Sequence, residues 1–235
     1  MIVMPANNTC WLVSYWQGLY GGLGHLYGPD RFTQPTPHLP YVLDNGAFGA
    51  FKSGKPWSGE SFSNHVEKYA HGAIRPQWVV VPDVVGNAVQ TVALWRIWAP
   101  ILRTEHELTL ALAVQDGMIP DDVRKLEVKP DVIFVGGSTE WKWATMAEWC
   151  QEFPRVHVGR VNTEKYLSLC ATAGAESCDG TGWFRGRKAQ IIELGRFLAK
   201  QSGKWNEDEE IEIRRIVAGS RVLNRDQKHF ALEVA

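Results

Sequence analysis

Cysteine is scarce in this chain and never paired at close spacing. The four, Cys10, Cys150, Cys170 and Cys178, include no C-x-x-C, which removes a zinc knuckle and a thioredoxin-like redox motif and reads as buried thiols in a reducing compartment. Long apolar runs are missing as well. Nowhere do about eighteen apolar residues follow one another, and no basic stretch leading into an apolar core opens the chain, so neither a membrane span nor a signal peptide is expected, and the reading is a soluble, cytoplasmic protein. An excess of one charge is also missing. Lys and Arg number 25 against 26 Asp and Glu, a formal net charge of −1, which is not the signature of a protein that coats nucleic acid; any polyanion contact must come from local clustering. Gly18, Gly21, Gly22, Gly24 and Gly28 do not spell G-x-G-x-x-G, so no dinucleotide site is expected. The seven histidines are scattered. His65 with His71 has neither a helix-face spacing nor an adjacent carboxylate ligand set, so no metal and no cofactor are expected. Internal repeats, long linkers and low-complexity tracts are absent too.

What is present is enough apolar material for one substantial core: 235 residues, 45% of them hydrophobic, with eleven tryptophans, most of which are expected to fill or cover that core rather than stack on bases. The periodicity predicts strands at Cys10–Tyr15, Tyr41–Leu43, Trp78–Val81, Leu108–Val114, Val132–Val135, Val156–Val158 and Ala175–Asp179. Helices are expected after Ser58 or Ser61, over Val89–Leu102, from Pro120, over Glu140–Phe153, from Thr163 to Ala173 and from Lys188 to Gln201. Gly203 is expected to cap that last helix, and Asn206 to cap a final one whose acidic start (Glu207 to Glu210) and basic later part (Arg214, Arg215) suit the macrodipole. The glycine- and proline-rich stretch after Tyr15 is expected to be a substrate loop. Strands apolar on both faces, alternating with helices, predict an α/β fold with a parallel sheet covered by helices. An open doubly wound sheet would bring together only the strand ends beside its switch point, so polar residues and glycines at five strand ends favour a single-domain (β/α)8 TIM-type barrel. The expected division is a barrel over residues 1–203 and a helical extension over 204–235 packed on it, with the last dozen residues fraying.

Polar residues and glycines recur at the C-terminal ends of these strands, where such a barrel holds its active site: Asp44, Asp83, Gln115, Gly136 with Gly137, and Asp179. Asp179 leads, because Gly180 and Gly182 after it leave room for a ligand; the plainer reading is that it caps a helix near Gly186 or opens a turn. Asp44 is its natural partner, since two carboxylates on one pocket can divide nucleophilic and acid–base work. Asp83 suits adjacent N–H donors of the kind guanine presents, or caps the helix from about Gly86. Gln115 can donate to a carbonyl, or satisfy strand-end backbone, and Gly136–Gly137 can offer a backbone N–H, or serve tight packing. Phe48 can lie against a planar ring, or belong to the core. Arg185, Arg187 and Lys188 suit phosphates, or form a solvated helix face.

Several segments together resemble one family. Leu43-Asp44-Asn45-Gly46-Ala47-Phe48 is similar to the Asp-Ser-Gly-Gly-(Phe/Tyr) motif of the tRNA-guanine transglycosylase superfamily. Ala113 to Gly117 resembles its Gln-Gly segment, Phe134 to Gly137 its Val-Gly-Gly strand end, and Val158 to Asn162 its Gly-Val-Gly-x-Pro segment; Gly174 to Arg187 is similar to the stretch carrying its nucleophile. Order and spacing agree over about residues 41–190. The family's zinc subdomain is absent, and this short, zinc-less pattern resembles the phage and bacterial DNA-guanine transglycosylases that place 7-deazaguanines in DNA. The resemblance implies a barrel and base exchange: Asp179 attacking C1′, Asp44 as general base for the incoming base, Asp83, Gln115 and Gly137 reading the guanine-like edge, and Phe48 with Val158 sandwiching the ring. It implies DNA and a free 7-deazaguanine as partners, a flipped target base, no metal, and a cytoplasmic location, the host's if phage-encoded. A homodimer is among the open oligomeric states. The readings left beside it are the same exchange on RNA, a non-catalytic nucleic-acid-binding subunit of this fold, and a carbohydrate-cleaving enzyme using Asp44 and Asp179.

Overall fold

A computed structural model describes residues 1–8, 10–29, 34–185 and 187–220. Eight strands are described: β1 (Ile2–Pro5), β2 (His25–Tyr27), β3 (Tyr41–Leu43), β4 (Val79–Val80), β5 (Leu110–Val114), β6 (Val132–Val135), β7 (Val156–Val158) and β8 (Ser177–Gly180). Each pairs in parallel with its neighbour, in the order β1-β8-β7-β6-β5-β4-β3-β2. Single bridges between Val3 and Leu23 and between Ala6 and Leu26 bring the two ends together, helped by Val3 N–H to Gly22 O at 2.8 Å and Asn7 N–H to Leu26 O at 2.9 Å. The result is the expected α/β architecture, a nearly closed (β/α)8 barrel.

The helices are α1 (Trp11–Tyr20), α2 (Ala47–Ser53), α3 (Gly59–Ala70), α4 (Ala88–His106), α5 (Pro120–Arg124), α6 (Thr139–Glu152), α7 (Glu164–Ala173), α8 (Lys188–Gln201) and α9 (Glu207–Gly219). Several start where a side chain satisfies an otherwise orphaned N–H: Ser58 accepts from Ser61, Asn87 from Gln90, Ser138 from Trp141, Thr163 from Tyr166 and Asn206 from Glu209. Asn87, not Asp83, therefore caps α4. Ser202 caps α8, and Gly203 follows it in the left-handed region at φ 73°.

Two expectations at the front of the chain are corrected. Cys10–Tyr15 is not a strand but the start of α1, whose buried Leu12, Val13, Trp16 and Tyr20 recur at helical spacing; a six-residue apolar run does not distinguish the two periods. The first strand lies earlier, at Ile2–Pro5, and the glycine-rich stretch expected as one substrate loop contains the end of α1 and all of β2. Residues 30–33 of that stretch lie outside the described residues.

Alternation along the strands separates two cores. Val79, Leu110, Leu112, Ile133, Val135, Val156, Val158 and Cys178 pack outward under the helices, while Leu26, Val42, Trp78, Val80, Ala111, Ala113 and Val132, with Phe134 against them, fill the barrel. The helix α9 lies on α8 through buried Ile213 and Val217 and through Arg196, which donates to Glu210 at 2.8 Å and to Glu164 at 2.8 Å. Of the extension expected over 204–235, residues 221–235, including the expected fraying end, lie outside the described residues. Among the described residues no helix is long and apolar enough to cross a membrane.

Candidate active site

Continuing the inward phase of each strand by one step leads from apolar floor to polar mouth: Leu26 to Gly28, Val42 to Asp44, Ala113 to Gln115, Phe134 to Gly136. All of these but Val42, together with Val80, Asp83 and Asp179, line a cavity of about 270 Å³ at the C-terminal ends of the strands, which Phe48, Gly137, Arg160, Thr181 and Arg185 also line. Two glycines beside the cavity are there because the protein packs too closely for a side chain. A Cβ on Gly136 would sit 3.2 Å from Val114 O, and one on Gly159 would collide with the Phe134 ring at 2.7 Å.

Asp179 is buried and held from two sides, by His157 Nε2 at 3.1 Å and the Arg160 backbone N–H at 3.2 Å from its Oδ1. A carboxylate can only accept, so Nε2 donates to Asp179, while Nδ1 lies 2.8 Å from the Ser177 hydroxyl, a group that can serve it as donor or acceptor. The ring is fixed by Trp78 edge-on (centroids 4.9 Å) and Phe134 stacked (4.7 Å). Asp179 thus caps no helix; it is an oriented acceptor on a rigid strand.

Asp44 lies on the same cavity. Burial, then the charges of Asp179 and Asp83, push its carboxyl up to about 7. Burial likewise raises Asp83, to about 6, although Asn45 donates to it. Asp83 is bound at both oxygens, by Asn45 Nδ2 at 2.7 Å and Gln115 Nε2 at 2.8 Å. The Gln115 carbonyl in turn accepts from Gly86 N–H at 2.9 Å, so one of its amide N–H bonds and a second lone pair on each Asp83 oxygen are what this cluster leaves for a ligand. Asn45 is buried and its amide also donates to Val81 O at 2.9 Å, while its carbonyl accepts from Ala47 N–H at 2.8 Å.

The structure therefore gathers Asp44, Asp83, Gln115, Gly136, Gly137, Phe48, Asp179 and Arg185 at one cavity. It does not bring Val158 there. Val158 is fully buried in the outer core, because it has the outward phase of β7 and His157 the inward one. Arg185 also donates to Ala6 O at 3.0 Å. Arg187 precedes α8 on the exposed surface, and the exposed Lys188 donates to Ala218 O at 3.0 Å; neither lines the cavity.

Sequence reading missed four members of the site. His157 could have been found as the polar residue in an apolar three-residue strand. Asn45 stands in the Leu43–Phe48 segment with no role assigned to it. Arg160 adopts φ 61°, donates to Gly137 O across the mouth, and places its guanidinium 4.8 Å from the Phe48 ring centroid. Lys142 is buried on α6 and donates to Gly159 O at 2.6 Å, bracing the turn that carries Arg160; burial and Arg160 lower its ammonium to about 8. Nothing at helical spacing on α6 announces that role. No protein-family model matches the chain, and no curated protein matches it.

Proposed function

We propose that this protein is a DNA-guanine transglycosylase, an enzyme that exchanges guanine in DNA for a free 7-deazaguanine through a covalent aspartyl-glycosyl intermediate. The observation that carries this reading is the pairing, in one cavity, of the oriented Asp179 carboxylate with Asp44, whose carboxyl is held near neutrality. A group with a pKa near the working pH both gives and takes a proton efficiently. In the first half-reaction Asp179 Oδ bonds to C1′, the C1′–N9 bond breaks, and protonated Asp44 supplies the proton that the departing guanine needs. In the second, Asp44 takes the N9 proton of the 7-deazaguanine, N9 bonds to C1′ and the ester to Asp179 breaks. Protons and charge balance over the cycle.

The cavity volume of about 270 Å³ lies just below the roughly 300–1,000 Å³ of sites for drug-sized ligands, which suits one flipped base with its sugar. Asp83 and Gln115 offer acceptor and donor atoms on one side, and Phe48 under Arg160 offers a ring face and a cation at the rim. The similarity of residues 43–48, 113–117 and 134–137 to transglycosylase motifs points the same way, and the resemblance of the pattern over residues 41–190 to the DNA-directed branch is what favours DNA over tRNA.

The test is co-expression of the chain with a 7-deazaguanine supply, followed by mass spectrometry of nucleosides from digested DNA and, separately, tRNA. A 7-deaza-deoxyguanosine peak that disappears with Asp179→Ala is the expected result. Modified tRNA without modified DNA would replace the polymer in this reading, and modification that persists with Asp179→Ala would remove Asp179 as nucleophile.

A further inference from the structure

At the other end of the barrel, two side chains from one helix end and a third from the next helix face a single point. Glu67 lies in the last turn of α3, His71 is its C-cap residue, and His106 is the final residue of α4. His106 Nδ1 and His71 Nε2 are 3.4 Å apart. The Glu67 carboxylate straddles them, Oε1 at 3.8 Å from His71 Nε2 and Oε2 at 3.7 Å from His106 Nδ1, and all three ligand atoms lie within 4.8 Å of one another.

We propose that Glu67, His71 and His106 bind one divalent transition-metal ion of the zinc class, clamping the ends of α3 and α4. Two ring nitrogens at 3.4 Å are at the long limit of a hydrogen bond. They are at the right separation for two ligands of one ion, since Zn–N bonds of about 2.0–2.1 Å at a tetrahedral angle set their nitrogens about 3.3–3.4 Å apart. The carboxylate contacts are wider and divided between its two oxygens, so bringing one oxygen onto the ion takes a rotation of the exposed Glu67 side chain. The donor set of two imidazoles and one carboxylate is one that zinc takes with water as fourth ligand. Both helices also point their C-terminal, partially negative ends at this place, where a cation is favoured. His106 is the anchored ligand, its side chain 15% exposed, and Arg75 holds its backbone carbonyl. His71 and Glu67 are 58% and 67% exposed, so the site opens to solvent and suits a structural clamp better than protected redox chemistry. The clamp is independent of the function proposed above.

The experiment is zinc titration of the full chain, stripped with a chelator, followed by calorimetry and by thermal melting with and without zinc. Wild type is expected to bind one equivalent and to melt higher with zinc. His71→Ala and His106→Ala are each expected to weaken binding at least about tenfold and to lose most of the zinc-dependent rise. Because His71 is mostly exposed, its variant should melt like wild type without metal, which separates lost binding from lost folding. Cobalt in place of zinc should give the visible absorption of a tetrahedral ion in wild type and not in the His71→Ala protein. Absence of zinc binding by wild type, or unchanged affinity in both histidine variants, would overturn the site.

Discussion

Asparagine in place of Asp44 is expected to make the folded chain more stable above neutral pH. Burial, with the charges of Asp179 and Asp83 behind it, holds the Asp44 carboxyl at about 7 instead of 3.8, against the pull of the Asn45 and Gly46 backbone N–H groups. Well below the unfolded pKa of about 3.9 the group is protonated in both states and makes no difference. Between there and neutrality the unfolded chain releases the proton while the folded one keeps it, so the native state binds more protons and stability falls as pH rises. Above neutrality the penalty is complete. Three pH units at about 1.4 kcal/mol each set a ceiling of about 4 kcal/mol. The carboxylate borders a cavity open to water, which screens it, so a gain of about 1–3 kcal/mol for Asp44→Asn is expected at pH of about 8. The asparagine oxygen remains available to the two N–H groups. Urea unfolding followed by tryptophan fluorescence, for wild type and variant, should show this gain at pH of about 8 and most of it gone at about 4. A variant less stable than wild type at the higher pH, or a difference that does not move with pH, would refute the argument that Asp44 is held against its charge.

Other outcomes follow from particular contacts. His157→Phe should fit between Trp78 and Phe134 and leave folding largely intact, yet slow the proposed base exchange by about 10–100-fold, the worth of one hydrogen bond to a charged group, read as a fall in kcat. Arg160→Ala removes the tie to Gly137 O and the cation over Phe48 and, if the proposed exchange holds, raises KM for the DNA by about tenfold, measured by steady-state exchange of labelled guanine. Val158→Ala should cost about 1–3 kcal/mol of stability in denaturant unfolding and leave the activity of the folded fraction unchanged, since Val158 lies in the outer core; a selective loss of activity would place it at the ring after all.

The architecture and most of the cavity were legible in the sequence. Strands apolar on both faces, separated by capped helices, admit a parallel barrel or an open doubly wound sheet, and the polar strand ends favour the barrel, in which Asp44, Gln115, Gly136 and Asp179 converge because all its C-terminal ends come together. Period-2 alternation was legible too, and followed through β7 it puts His157 inward and Val158 outward; the family resemblance pointed to Val158 instead. The short apolar run at Cys10–Tyr15 was not legible, because six residues fit helix and strand alike and only the pairing of Ile2–Pro5 with β8 decides which element begins the sheet. Tertiary structure alone decided contacts between residues far apart in sequence. Arg160 meets Gly137 and Phe48 only after a left-handed turn, Lys142 meets Gly159 only when α6 packs over β7, and His106 meets His71 and Glu67 only when α3 and α4 end side by side. Local spacing carries no trace of such meetings, because each depends on where two separately formed elements are held by the core between them.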